Sequence, residues 1–260
     1  MGNCCGTEEE QRPLLNSETV GARSGTLNNT TPVVTEPPQS ARNHNPVEKR
    51  DFETSIELIS KVQLQTIQIT TINKTFQDLG SLYNDVIDNF QSLETNIHNF
   101  KEFFVEDTAG IPVLATCVKI LVQRAGEAKI TIERTQKNLI TVLFDSKEIA
   151  RICGEKSDRV VKPLEYFASA CRHIRNVLEH APQVESNVKI ILQEDEKMRK
   201  DIMKSDLSQE DIQRNIKALL ENVSKMRVVA AGTDTIKRDV EKKFKEFSKA
   251  SEGFFVEDNQ

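Results

Sequence analysis

Stepping along the chain in alternate fours and threes from residue 58 meets Leu58, Val62, Gln65, Ile69, Ile72, Phe76, Leu79, Tyr83, Val86, Phe90, Leu93, Ile97, Phe100 and Phe104. Only Gln65 is polar. A repeat of this kind returns each residue to one face of a helix with 3.5 residues per turn, which is the seam of a coiled coil. It predicts one long helix over residues 51–107, with Gln65 setting register at some cost in stability. Asn73, Asn84, Asn89, Asn96 and Gly80 lie off the seam and weaken the intrinsic helix propensity. The helix is therefore expected to need packing within the chain or a partner.

Residues 108–252 predict further helices, and the fold class expected is all-α, a long heptad helix followed by an antiparallel bundle. Pro112 suits a first helical turn. Leu114, Val118, Leu121, Ala125, Ala128, Ile132, Leu139, Val142 and Ile149 read as one helical face ending near Gly154. Val161, Leu164, Phe167, Cys171, Ile174 and Leu178 read as a second, stopped before Pro182, and Val184, Val188, Ile191 and Met198 as a third. Ser205 or Ser208 opens the next helix, with Glu210 and Asp211 in its first turn, where the macrodipole favours them. Its apolar face includes Ile212, Ile216, Leu219, Val223 and Met226. Gly232 and Thr233 are expected to separate a last helix bearing Ile236, Val240, Phe244 and Phe247.

Residues 1–50 have a different character. The run from 16 to 50 is rich in Asn, Thr, Ser, Pro and Gly and reads as a disordered tether. The chain opens Met1-Gly2-Asn3-Cys4-Cys5. Gly2 is placed for N-myristoylation once Met1 is removed. A single myristoyl chain binds membranes only marginally, and Cys4 and Cys5 stand where palmitoylation would add the second hold. Glu10, Leu14 and Leu15 have the spacing of an acidic dileucine sorting signal, which implies a clathrin adaptor as partner and endosomes, lysosomes or vacuoles as destination. The lipidated start followed by an acidic dileucine resembles the anchor segment of the late-endosomal Ragulator scaffold over about 15 residues. Residues 253–260 form a tail in which Phe254–Asp258 repeats the Phe-Phe-Val-Glu-Asp of Phe103–Asp107.

Within the heptad region, Thr71-Ile72-Asn73-Lys74-Thr75-Phe76-Gln77-Asp78-Leu79-Gly80-Ser81-Leu82, then Leu93-Glu94-Thr95-Asn96-Ile97, resembles the SNARE motif of syntaxins. That resemblance implies helical partners, SNAREs among them, and a place in membrane trafficking. The chain departs from the family at Val86, where the central layer has Gln. Asp107, Gly110 and Pro112 also cut the motif short, and the anchor lies N-terminal to it. These departures imply a non-fusogenic regulator. The stretch Ala109–Leu121 and the helices after it resemble the N-terminal bundle of mixed-lineage kinase domain-like and fungal HeLo-like proteins, which implies the alternative of a membrane-active bundle. A scaffold that recruits another protein to the membrane is a further alternative.

Composition narrows the function. The chain has 260 residues, 37% hydrophobic and 29% charged, no Trp and a net charge of -5. Any core is therefore built mainly from Ile, Leu and Val, and there is no general attraction for nucleic acid. No run of about 18 apolar residues spans a bilayer, and no signal-peptide core occurs, so the expected place is the cytosolic face of a membrane, that of endosomes, lysosomes or vacuoles or the plasma membrane. Cys117, Cys153 and Cys171 are scattered and read as core residues. His44, His98, His173 and His180 are too dispersed for a metal site. No phosphate loop, zinc-protease or nucleophile-elbow motif is present. Neither an enzyme nor a cofactor is expected.

Overall fold

The computed structural model describes residues 59–136 and 139–252. An extended strap, residues 59–69, leads into α1 (Thr70–Glu102). There follow α2 (Leu114–Ala125), the strands β1 (Ile130–Gln136) and β2 (Leu139–Phe144), α3 (Ser146–Cys153), a 3-10 turn (Gly154–Lys156), α4 (Asp158–Met203) and α5 (Gln209–Ser251). The architecture is an all-α bundle with one antiparallel β-hairpin.

Three long helices make the frame. At 1.5 Å per residue, α1, α4 and α5 run roughly 50, 69 and 65 Å. α4 packs along both α1 and α5. It is antiparallel to α1: Asn89 of α1 bonds His173 and Asn176, while Phe100, further along α1, packs on Phe167, earlier in α4. The seam residues of α1 supply its buried face, with Phe76, Leu79, Tyr83, Val86 and Leu93 at most 2% exposed. α1 and the elements after residue 108 share one hydrophobic core. At one end Phe104, Phe100, Phe167 and Phe247 form a chain of rings with centroids 4.9–5.4 Å apart.

Four expectations are corrected. The helix predicted over 51–107 begins at Thr70 within the described residues and ends at Glu102, so Val62, Gln65 and Ile69 are not on it. From Val62 to Ile69 the apolar residues fall at 62, 64, 67 and 69, and three of those four are β-branched. A near-alternating pattern of this kind suits an extended chain. The face traced from Leu114 to Ile149 is broken, because Gly126 at φ 58° ends α2 and a hairpin follows. Ile130-Thr131-Ile132 and Ile140-Thr141-Val142 are β-branched runs that pair with Ile132 opposite Val142. α4 passes through Pro182 without stopping. Ile174, Val177, Ala181, Val184, Val188 and Ile191 keep one buried face across it, and that packing outweighs the lost backbone hydrogen bond. α5 likewise runs through Gly232 and Thr233. Ser208 is its N-cap, its hydroxyl accepting from the Asp211 N–H at 3.2 Å.

Gly232 is in α5 because Tyr83 needs the space. A Cβ there would stand 2.5 Å from the Tyr83 hydroxyl. Gly232→Ala gains about 1 kcal/mol of helix propensity but overpacks the core, which costs about 1–3 kcal/mol. The expected net effect in urea unfolding is destabilisation. Adding Tyr83→Phe removes the clashing oxygen, so the double variant should unfold at higher urea than Gly232→Ala alone.

Candidate functional site

An extended segment without a neighbouring strand must find partners elsewhere for its backbone N–H and C=O groups, since leaving them buried and unpaired is costly. The strap finds them on asparagine side chains. An Asn amide carries one acceptor and an NH2 donor, so it can match both groups of one residue. Asn222 of α5 does so with Gln65: its Oδ1 accepts from the N–H at 2.7 Å and its Nδ2 donates to the C=O at 2.8 Å. Asn84 of α1 treats Val62 the same way, at 2.9 and 3.2 Å. Asn215 of α5 accepts from the Gln68 N–H at 2.6 Å and donates to the Gln68 side-chain carbonyl at 3.1 Å. Asn73 accepts from the Ile67 N–H at 3.0 Å, and the Lys225 ammonium donates to the Gln63 C=O at 2.8 Å.

The spacing has a geometric cause. Asn215 and Asn222 are seven residues apart, two helical turns, or roughly 10.5 Å. Gln65 and Gln68 are three extended residues apart, roughly 10 Å. Helix and strap therefore come into register at this interval, and Asn84 continues it from the opposite wall three residues back, at Val62. Asn215 and Asn222 are 2% and 0% exposed; the Asn222 amide is committed to the strap, and the Asn215 Nδ2 also donates to the Asp211 carbonyl of its own helix at 2.7 Å.

Side chains add an apolar grip. Ile59 and Ile67 are buried, while Val62, Leu64 and Ile69 are half-buried against the core. Gly80 allows the close approach: a Cβ there would lie 2.9 Å from Leu64 Cδ1. Toward the N-terminal end the fit loosens. A cleft of about 360 Å³ lies between Lys61, Val62 and Gln63 on the strap and Tyr83, Lys225 and Val229 on the helices. At the rim Glu221 accepts from Lys225 and from the Gln65 side chain, and these two bonds, Lys225 first, hold its carboxyl below the usual range.

A second polar group bridges α1 and α5 further along. The Lys243 ammonium lies 2.9 Å from Glu94 and 2.7 Å from Asp239. Its approach to Glu94 Oε1 is off the hydrogen-bond axis, so that oxygen receives the charge without an aligned donor. Burial pushes the Glu94 carboxyl up, against the pull of Lys243. Burial also opposes the charge on Lys243, yet Glu94 and Asp239 together keep it above its ordinary value. The pair joins α1 to α5, with Lys243 16% and Glu94 24% exposed.

The seam residues separate into two sets. Ile72, Phe76, Leu79, Tyr83, Val86, Phe90, Leu93 and Phe100 are buried on α1, Ile97 is half-buried, and Phe104 is buried just beyond the helix. Val62, Gln65 and Ile69 belong to the strap. Leu58, the lipidation residues Gly2, Cys4 and Cys5, and the sorting residues Glu10, Leu14 and Leu15 lie outside the described residues, as does the second Phe-Phe-Val-Glu-Asp. The internal copy is anchored by its second Phe: Phe104 is buried under the Arg124 guanidinium, 4.8 Å from its ring centroid, and Arg124 pairs with the exposed Asp107. Cys117 and Cys171 are buried, and burial pushes both thiols up. His173 is half-buried with Nδ1 2.9 Å from Asn89, and desolvation, then Arg172, lowers its pKa.

Asn215, Asn222 and Lys225 are site residues that the sequence pattern did not reveal, and Asn73 and Asn84 were legible only as positions that weaken the helix. A signal existed. Asn215, Leu219, Asn222, Met226, Val229, Thr233, Ile236 and Val240 follow the same alternation of fours and threes, and all are buried. Two asparagines in a buried seam mark a polar partner.

No family model matches the chain, and no curated protein or solved structure is detectably similar to it.

Asn222→Ala leaves the Gln65 N–H and C=O without their partner, which costs about 1–3 kcal/mol. The expected result is faster hydrogen exchange at the Gln65 amide and earlier proteolytic cutting within 59–69, with exchange in the middle of α4 little changed. Equal acceleration throughout would mean that the strap and the bundle open as one unit.

Proposed function

We propose that the protein is a lipid-anchored, non-catalytic helical interaction protein on the cytosolic face of an endosomal, lysosomal or vacuolar membrane, with its syntaxin-like helix kept in an intramolecular form. Gly2, Cys4 and Cys5 carry the acyl chains that hold it there, and Glu10, Leu14 and Leu15 direct it through a clathrin adaptor.

One observation carries the second half of this reading. The α1 face that resembles a SNARE motif is filled in cis, with Val86 0% exposed at the position of the central layer. A helical partner, SNARE or otherwise, would have to compete with this core for the same seam. That competition makes the chain a regulator of helix pairing, in keeping with its departures from the fusogenic pattern. The anchor reading draws on the chain order as well: the residues bearing the lipidation motif precede the strap, which is the first described segment of the chain.

The test is a fluorescent C-terminal fusion imaged in cells, with Gly2→Ala and with Cys4→Ser plus Cys5→Ser beside the natural chain. The natural chain should outline internal membranes and both variants should become diffuse. Leu14→Ala plus Leu15→Ala should remain membrane-bound but move to a different membrane. A natural chain that is already diffuse overturns the anchor.

A further inference from the structure

Phe-Phe-Val-Glu-Asp stands in this chain twice, at Phe103–Asp107 and at Phe254–Asp258. Phenylalanine makes up only 12 of 260 residues, so composition does not account for the repeat. The internal copy shows how the string is held. Arg124 lies over the ring of its second Phe, Phe104, and pairs with its carboxylate at Asp107. One guanidinium thus takes an aromatic face and an anion from the same short string. The first Phe, Phe103, is half-buried, with its ring 6.0 Å from that of Tyr166.

Beside this copy lies a cleft of about 390 Å³, lined by Phe103, Val105, Arg124, Arg159, Glu102 and Glu106. Phe103 and Val105 are half-buried and present its apolar surface. Arg124 is spent on Asp107 and on the carbonyls of Phe103 and Arg159. The exposed Arg159 makes no side-chain hydrogen bond or ion pair among the described residues. α5 ends near this cleft. It runs antiparallel to α4: Phe247 stacks on Phe167, and Lys237, earlier in α5, pairs with Glu185, later in α4. Ser251, the last residue of α5, is roughly 6 Å beyond Phe247 along the axis, and Arg159 is roughly 12 Å beyond Phe167 in the same direction. The next seven residues, 252–258, span up to roughly 23 Å when extended, which covers the gap.

We infer that this cleft is the docking site of the chain's own segment Phe254–Asp258. Its phenylalanines seat on Phe103 and Val105, and its two carboxylates face Arg159. Glu102 and Glu106 oppose an anion on their side of the cleft, so the rings supply the hold and Arg159 sets the direction. The docked segment ties the end of α5 to the junction of α1 and α2. It rests on the repeat and the cleft and is independent of the lipid anchor.

Hydrogen exchange on the full chain tests this. The amides of 254–258 should exchange about tenfold or more slowly than in a free peptide of residues 252–260, the sign of a segment docked most of the time. Arg159→Glu should return them to the peptide rate. Arg159 is exposed, so this variant should keep its helical circular dichroism. A labelled peptide of residues 252–260 should bind full-length Phe254→Ser plus Phe255→Ser, whose cleft is vacated, more tightly than the natural chain, and adding Arg159→Glu should abolish that binding. Peptide-rate exchange in the natural chain overturns the inference. So does protection that Arg159→Glu leaves intact, or protection that fades on dilution, which would make a second copy the host.

Discussion

Everything on the α1–α5 side of this molecule answers to one constraint: an extended backbone lying on helices has no strand beside it to take its hydrogen bonds. Helices have spent their own main-chain groups internally and can offer only side chains. An aliphatic wall would bury Ile67 and Leu64 well and still leave the strap's amides unpaired, and the desolvation of a single such group is comparable to the gain from burying an aliphatic side chain. Asn84, Asn215 and Asn222 resolve this conflict. Asn215 and Asn222 occupy buried seam positions where Leu or Ile would ordinarily pack between helices, and the site depends on the amides that stand there instead.

The same logic accounts for the glycines. Within α1 and α5, Gly80 and Gly232 work against the helix that contains them. Gly80 admits Leu64, and Gly232 admits the Tyr83 hydroxyl. Local propensity has yielded at both points to close approach between elements. Elsewhere the fold follows ordinary rules: α4 forms the shared wall, four aromatic rings close one end, and the Glu94–Lys243 pair bridges α1 to α5 where the strap no longer lies. Those parts position the groove without taking part in it.

The helical class and the buried face of α1 were legible from Ile72 to Phe100, because one wall of a three-helix frame needs the same periodicity as a coiled coil. The strap was hidden by a coincidence of numbers. Val62, Gln65 and Ile69 fit steps of three and four as well as a loose alternation, and Gln65 looked like a polar seam residue. In the fold it is an exposed residue whose main chain is held. The hairpin was missed because Ile132, Leu139, Val142 and Ile149 happen to fall on helical intervals, although the β-branched runs around them favour strands. The long helices were cut at Pro182 and Gly232 because a local breaker is visible in a sequence, while the packing that overrides it comes from residues distant along the chain. Asn215 and Asn222 escaped for a related reason: their role depends on a segment about 150 residues away, at separations of 147 and 157.

The match between seven helical residues and three extended ones has a consequence for how this chain can vary over generations. Gln63 and Thr66 are exposed, and Asn84 and Asn222 take no account of the side chains of Val62 and Gln65. Replacement at Gln63 and Thr66 is mild so long as the inward residues stay apolar. A single inserted or deleted residue between Val62 and Gln68 is different, because it shifts every later backbone group off its amide and turns the aliphatic face outward. Heritable change in the strap is thus filtered by length before it is filtered by identity. Two descendants of this gene could differ at most strap letters and still share the groove, provided that they count the same number of residues across it.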